Sequence, residues 1–154
     1  MVFKFNSAKA VSYANNYSSK HNPFYKKFLE GEDCNFVSQC LFAGSENVSD
    51  KQNGGWFYDS EKEFSSSWIN PKELFCHLLS AQKGPFGRII NENNLSVGDI
   101  VFKFGDSENE VGIVTKIVNN DIFFVVKNKN FEEKKLKKDA NLDAKYLHIL
   151  GVKK

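Results

Sequence analysis

The spacing of apolar residues changes once along this chain of 154 residues, and that change sets the fold class. Before Gly84-Pro85, apolar side chains recur at three- and four-residue spacing, which is typical of helices that bury one face. After Gly84-Pro85 they form short runs separated by turn residues, with Asn119-Asn120-Asp121 as a hairpin signal. Helices followed by antiparallel strands predict an α+β domain, with N-terminal helices packed on a small antiparallel sheet.

The first half of the chain predicts three main helices. Ser7 is the expected N-cap of the first, and a short amphipathic piece follows at residues 24–29. The second helix begins near Glu32, and Gly44 is its expected C-cap. Asn70-Pro71 opens the third helix, because proline suits the first turn. Strands are predicted at residues 100–104, 111–118, 122–126 and 146–152.

Size and charge narrow the classes of function. A chain of this length is most simply one domain, residues 1–154. A net charge of +2 gives no reason to expect a nucleic-acid partner, and the lysines at 134–138 follow Glu132-Glu133 as a solvated surface would. No run of eighteen apolar residues predicts a membrane span.

The N-terminus lacks the apolar core of a signal peptide. This favours a cytoplasmic protein, or an exported domain whose signal lies outside this sequence. Three cysteines cannot all pair, so reduced thiols are expected, with Cys40 and Cys76 in the core. His77 follows Cys76 directly, and adjacent helical residues point apart, so neither a metal site nor another cofactor is predicted.

One segment carries a family resemblance. It reads Asn35-Phe36-Val37-Ser38-Gln39 and is followed by Ala43-Gly44. Further landmarks are Tyr13-Ala14, Asn22, Trp56, Ser67-Trp68 and Val97-Gly98-Asp99-Ile100-Val101. With these motifs the chain, from about Ala8 to about Leu150, resembles the Putative amidase domain family, a relative of the CHAP- and NlpC-type cysteine amidohydrolases.

The resemblance implies a compact papain-like fold of the NlpC type with a three-part catalytic site. A cysteine at a helix N-terminus is the nucleophile, since the helix dipole stabilises its thiolate. A histidine at the start of a facing strand is the base, and a polar residue on the next strand orients the imidazole ring.

The chain departs from that pattern at the nucleophile and at the base. An ungapped match places Asp33 at the nucleophile position and Cys34 one residue later. Glu110 takes the histidine position, and Asn128 takes the third. A shift of one residue turns a helical side chain by about 100°. None of His21, His77 and His148 stands at the position where the fold supplies its base. His148 is expected to be a packed core residue, and His21 a surface residue.

These substitutions favour a catalytically degenerate domain that binds a peptide, a peptidoglycan-like fragment or a protein in the former cleft. Gly112, Trp56 and Trp68 are the expected cleft residues, although the two tryptophans are equally consistent with core packing. An active cysteine amidase or peptidase using Cys34 is the alternative. A third hypothesis is a hydrolase in which Asp33 and Glu110 act as acid and base, whereas the simpler role for Asp33 is that of an N-cap.

Overall fold

The computed structural model describes residues 1–137 and 143–154, and these residues form three α-helices and nine β-strands. The helices are α1 (Ser7–Asn16), α2 (Glu32–Gly44) and α3 (Pro71–Ser80). The strands are β1 (Val2–Phe3), β2 (Tyr58–Ser60), β3 (Glu63–Phe64), β4 (Gly84–Ile90), β5 (Ile100–Phe104), β6 (Asn109–Val118), β7 (Asp121–Lys127), β8 (Phe131–Lys135) and β9 (Ala144–Lys153).

Seven of these strands form one antiparallel sheet in the order β1-β9-β5-β6-β7-β8, with β4 also pairing with β9. Strands β2 and β3 form a separate hairpin. The α+β class expected from the sequence is therefore confirmed. The last predicted strand pairs centrally, between β4 and β5, rather than at an edge.

The predicted strands at 100–104, 111–118, 122–126 and 146–152 correspond to β5, β6, β7 and β9. The hairpin between β6 and β7 is also as predicted, because Asn119 and Asn120 both take positive φ angles, 50° and 68°, as a two-residue hairpin turn requires. Sequence spacing missed β1–β4 and β8. The strand β8 is mostly charged, so it carries little apolar signal.

The helix starts were predicted well at α3 and less well at α1. Asn70 caps α3 by accepting the N–H of Glu73, with Pro71 in the first turn as expected. At α1 the cap is Asn6 and not Ser7, because the Asn6 side chain accepts the N–H of Lys9. The amphipathic piece predicted at 24–29 is not a helix; that segment is irregular.

The two faces of the sheet bury different clusters. The face toward the helices includes Val111, Ile113 and Leu147, and α2 is almost wholly buried against it. The other face carries a smaller cluster that includes Val114 and Phe124. Since side chains alternate along a strand, neighbouring residues of β6 belong to opposite faces. This alternation decides which polar residues reach the start of α2.

Cysteine exposure differs in one case from the prediction. Cys34 and Cys40 are buried and unpaired, whereas Cys76, expected in the core, is exposed on α3. Within the described residues, every helix is too short or too polar to cross a lipid bilayer.

Candidate functional site

The start of α2 depends on a glycine. Gly31 is the N-cap, with a positive φ of 80°, and it lies against the Ile69 carbonyl. A β-carbon at Gly31 would stand 2.1 Å from the Ile69 oxygen. Only glycine meets both conditions, so the first turn of α2 is fixed close to the start of α3.

Asp33 is the second residue of α2 and is only 3% exposed. Its Oδ1 accepts the N–H of Cys34 at 2.9 Å, and its Oδ2 accepts the N–H of Val111 at 2.9 Å. The expectation that Asp33 is the N-cap is therefore corrected, since Gly31 has that position. The carboxylate instead joins the first turn of α2 to β6.

Asn128 meets the same turn from the end of β7. Its side-chain Oδ1 accepts the N–H of Asp33 at 3.2 Å. The paired residues of β6 and β7 run from Val118↔Asp121 to Ile113↔Val125. Beyond the Ile113↔Val125 pair, the start of α2 forms hydrogen bonds with Val111 of β6 and with Asn128, which follows β7. Two of the predicted positions, Asp33 and Asn128, are thus in direct contact.

Glu110, at the position predicted for the catalytic base, lies on the face of β6 opposite to α2. It shares a strand face with Val114, whereas α2 packs on the face of Val111. Its carboxylate accepts two hydrogen bonds from Lys134 of β8, at 3.0 and 3.2 Å. The neighbouring Asn109 shares the α2 face and lines the surface groove described below. The buried apolar residues at 111 and 113 were the sequence signal that identifies this face.

Gly112, expected beside the cleft, lies instead against β7. A β-carbon there would stand 2.6 Å from the Val125 carbonyl oxygen and 2.9 Å from the Phe124 ring. Gly112 is therefore needed for the close approach of two strands, and it is not among the residues that line the groove.

Cys34 is fully buried, with its Sγ directed toward the Ser67 carbonyl oxygen at 4.0 Å. Burial raises the pKa of its thiol well above the ordinary value, and the negative charge of Asp33 raises it further. A neutral buried thiol has little nucleophilic character.

Trp56 and Trp68 are each 0% exposed, so their predicted place in a ligand groove is corrected to the core. Their rings stack at 4.7 Å between centroids. The Trp68 Nε1–H donates to Asn35 Oδ1 at 2.9 Å, and the Trp56 Nε1–H donates to Ser38 Oγ at 3.1 Å. Both indoles therefore hold polar side chains of α2 in place.

The three histidines make their closest described contacts with residues other than Asp33, although His21 lines the same groove as Asp33. His77 stacks on Trp56, and burial lowers its pKa to about 4. His148, expected in the core, has a side chain 35% exposed, and its Nδ1 is 2.8 Å from Asp99 Oδ1. His21 is half-buried, with Nε2 close to the Tyr25 carbonyl. Among the residues that the structure describes, no cluster of His, Cys, Asp or Glu has the arrangement of a metal site.

A groove of about 1180 Å³ opens at the start of α2. Asp33 and Asn128 line it, together with residues of the α1–α2 loop and of the start of α3. Its lining comprises residues 18–21, 27–33, 69–71, 107–109 and 127–132, with Ser66 and Glu73. Of the four positions that the sequence predicted for a catalytic site, Asp33 and Asn128 line this groove, whereas Cys34 and Glu110 do not.

The sequence of this chain is similar to that of a known protein family. The model of a protein family described as "Putative amidase domain" matches residues 4–149. The chain belongs to the Putative amidase domain family. Its match begins before α1 and ends within β9, so it includes the groove and both strands that contact Asp33.

A curated relative of this amidase-family domain is described only as uncharacterised. The "Uncharacterized protein YhbB" of Bacillus subtilis (strain 168) is 28% identical over 124 residues, which cover 78% of this chain and 39% of the relative. The chain therefore spans well under half the length of that protein. No solved structure matches the chain.

The buried carboxylate of Asp33 predicts a pH-dependent stability. Burial raises its pKa above the ordinary 3.8, the hydrogen bonds from Val111 and Cys34 oppose this, and Glu110 adds to it. The folded state then binds the proton more tightly than the unfolded chain. The stability that the protonated form contributes is complete below about pH 3.8 and is lost as the pH rises through the raised pKa. Each unit of pKa increase corresponds to about 1.4 kcal/mol.

Urea unfolding of the unsubstituted protein and of Asp33→Asn at several values between pH 4 and 7 measures this effect. We expect the free energy of unfolding of the unsubstituted protein, relative to Asp33→Asn, to decrease as the pH rises. Asp106→Asn, at an exposed turn position, is the control and should show no such trend. If the free energy of unfolding of the unsubstituted protein, relative to Asp33→Asn, instead increased with pH, the folded state would lower the pKa of Asp33.

Proposed function

We propose that this domain binds a ligand in the groove at the start of α2 and does not cleave it through a cysteine nucleophile. The observation that carries the proposal is the state of Asp33 at the nucleophile position. Both of its carboxylate oxygens accept backbone N–H groups, from Cys34 and from Val111. A carboxylate held in this way serves as a structural link between helix and strand, and it is not placed to attack an amide.

Cys34 supports the same proposal. Its sulfur is fully buried beside the Ser67 carbonyl, on a different side of the helix from the groove lining, which does not include it. Burial and the nearby Asp33 charge both keep the thiol protonated. A nucleophilic cysteine requires the reverse, an accessible sulfur with a lowered pKa.

We assign the scaffold to the papain-like group that includes the CHAP- and NlpC-type amidohydrolases. The support is the convergence of a helix N-terminus, the start of β6 and the end of β7 on one point. Those three elements correspond to the nucleophile, base and orienting positions of such enzymes. In this chain they hold Asp33, Asn109 or Glu110, and Asn128.

The proposed ligand is a peptide, a peptidoglycan-like fragment or a segment of another protein. A groove of about 1180 Å³ is large enough for several residues of an extended chain. Its lining mixes charged, amide and apolar side chains, including the exposed Leu29 at its rim. Such a surface suits a chain molecule better than a small apolar compound.

Alkylation of the native protein with iodoacetamide at pH 6.5 tests the loss of the nucleophile. We expect Cys76 to be modified first and Cys34 and Cys40 to be protected, because only Cys76 is exposed. Peptide mass spectrometry gives the rate at each site. The same protein in urea is the control, in which all three should react at comparable rates.

Faster labelling of Cys34 than of Cys76 would overturn the proposal. So would release of amine from peptidoglycan fragments that is abolished by Cys34→Ala. Saturable thermal stabilisation by such a fragment, without turnover, is the result that supports binding.

A further inference from the structure

We propose that Asn53 is a site of spontaneous covalent modification, at which its side-chain amide becomes a carboxylate, and that Asp50 slows this reaction in the folded protein. The site lies in the loop between α2 and β2, outside the lining of the groove. The inference is therefore independent of the proposed function. It follows from the chemistry of one dipeptide and from the hydrogen bonds that hold this dipeptide in the fold.

Asn53 and Gly54 form the one Asn-Gly dipeptide of the chain. Asparagine is among the chemically least stable residues on heating. Its side-chain amide reacts with the backbone nitrogen of the next residue, and it does so most readily before glycine, because no side chain shields that nitrogen. Both residues are exposed, and a β-carbon at Gly54 would meet nothing within 4 Å. Packing therefore leaves the reacting atoms accessible.

The reaction consumes one water molecule and releases one ammonia molecule. The Gly54 nitrogen attacks Cγ of Asn53, so that an N–Cγ bond forms. The Gly54 proton passes to the leaving nitrogen, the Cγ–Nδ2 bond breaks, and ammonia departs. Water then opens the resulting five-membered succinimide at either of its carbonyl carbons, which yields aspartate or isoaspartate at position 53. The reaction needs neither an oxidant nor a reductant.

The structure holds both reacting groups in other hydrogen bonds. The Gly54 N–H donates to the Lys51 carbonyl oxygen at 3.0 Å, which closes the turn at residues 51–54. The Asn53 Nδ2 donates to Asp50 Oδ1 at 2.7 Å. Attack requires the Gly54 nitrogen to lose its proton and the Asn53 amide to turn away from Asp50. Both hydrogen bonds must therefore break, and the folded loop opposes the reaction.

Asp50 also opposes the reaction through its charge. The residue is only 4% exposed, and a β-carbon at Gly55 would stand 2.4 Å from its Oδ2, so the carboxylate is enclosed by its own loop. Addition of the Gly54 nitrogen places negative charge on Asn53 Oδ1, next to this carboxylate. Two like charges repel strongly where solvent is largely excluded, and this repulsion raises the energy of the intermediate.

Backbone hydrogen bonds keep the Asp50 carboxylate beside Asn53. The Asp50 N–H donates to the Trp56 carbonyl oxygen, and the Gly55 N–H donates to the Asp50 carbonyl oxygen, both at 2.8 Å. Trp56 is a core residue. The loop that carries Asn53 is thus joined at its base to the core, so opening of this loop is the step that frees the dipeptide to react.

Incubation at 37 °C and pH 7.5 tests the proposal. Peptide mass spectrometry measures the aspartate and isoaspartate formed at position 53, in the protein and in a synthetic peptide of residues 49–56. We expect both products in the peptide, and a rate lower by on the order of tenfold or more in the folded protein, because only the fold maintains the two hydrogen bonds. The same peptide with Gly54→Ala is the control for the succinimide route and should react more slowly.

Substitutions at position 50 test the role of the carboxylate. Asp50→Ala removes both the acceptor and the charge, and we expect it to accelerate the reaction in the protein by on the order of tenfold. Asp50→Asn keeps the size and an acceptor oxygen but removes the charge. It should accelerate the reaction by a smaller factor, and it serves as the test where the alanine variant does not fold. Asp106→Asn, at an exposed turn position, is the charge-matched control and should leave the rate unchanged.

Each part of the proposal has an outcome that would overturn it. A peptide that forms neither product would overturn the modification site itself. Equal rates in the peptide and in the folded protein would overturn the protection by the loop. A rate that both Asp50 variants leave unchanged, or that Asp106→Asn raises as much as Asp50→Asn does, would overturn the role of Asp50.

Discussion

Trp68→Ala is expected to lower the free energy of unfolding by about 3–5 kcal/mol, the usual cost of removing a buried large aromatic side chain. Trp68 is 0% exposed, stacks on Trp56, and lies within ring-contact distance of Tyr25 and Phe42. Its Nε1–H also donates to the Asn35 side chain, which would lose a buried partner. Chemical unfolding followed by circular dichroism measures the change.

Two further variants define how much the Trp68 indole contributes to the free energy of unfolding. Trp68→Phe keeps an aromatic ring but removes the donor to Asn35, and we expect a smaller loss than for Trp68→Ala. Leu29→Ala is the surface control, because Leu29 is 95% exposed, and should lie within about 0.5 kcal/mol of the unsubstituted protein. A loss below 1 kcal/mol for Trp68→Ala would mean that the tryptophan stack is not a central part of the core.

Gly31→Ala is the second substitution expected to have a large effect, at about 3 kcal/mol. The left-handed backbone at φ 80° costs a residue with a β-carbon about 1–2 kcal/mol. The overlap of that carbon with the Ile69 carbonyl oxygen, at 2.1 Å, adds a cost comparable to overpacking, about 1–3 kcal/mol. Because the clash is with backbone, relief requires movement of α2 away from the start of α3.

Gly54→Ala is the matched control. Gly54 also has a positive φ, 67°, but a β-carbon there meets nothing within 4 Å. It therefore reports the backbone cost alone, and the difference between the two variants isolates the contact with Ile69. Equal destabilisation by the two substitutions would contradict the close approach at Gly31. Thermal unfolding of both proteins in one buffer is sufficient to compare them.

The sequence predicted those parts of the fold that local signals determine. Asn70-Pro71 located α3 because capping and proline geometry act within one turn. The paired asparagines at 119 and 120 located the β6–β7 hairpin for a similar reason. Strand β4 was missed because Gly84-Pro85, taken as a break between halves, is itself the start of a strand that pairs with β9. That pairing depends on residues 56 to 69 positions away.

The candidate site was predicted only in part, for a geometric reason. Matching the family pattern selected Asp33 and Asn128, and the structure joins these two residues by a hydrogen bond. The same match selected Glu110, although Asn109 is the residue on the α2 face of β6. A strand changes face at every residue, so an error of one position selects the opposite side of the sheet.

The face on which Asn109 lies also determines how cysteine chemistry would have to be rebuilt in this scaffold. A designer guided by alignment would combine Asp33→Cys with Glu110→His, and the imidazole would then extend toward Lys134 on the far side of the sheet. Combining Asp33→Cys with Asn109→His places both new side chains on the face shared with α2. Asn128, whose side chain accepts the backbone N–H of residue 33, would remain beside the new cysteine.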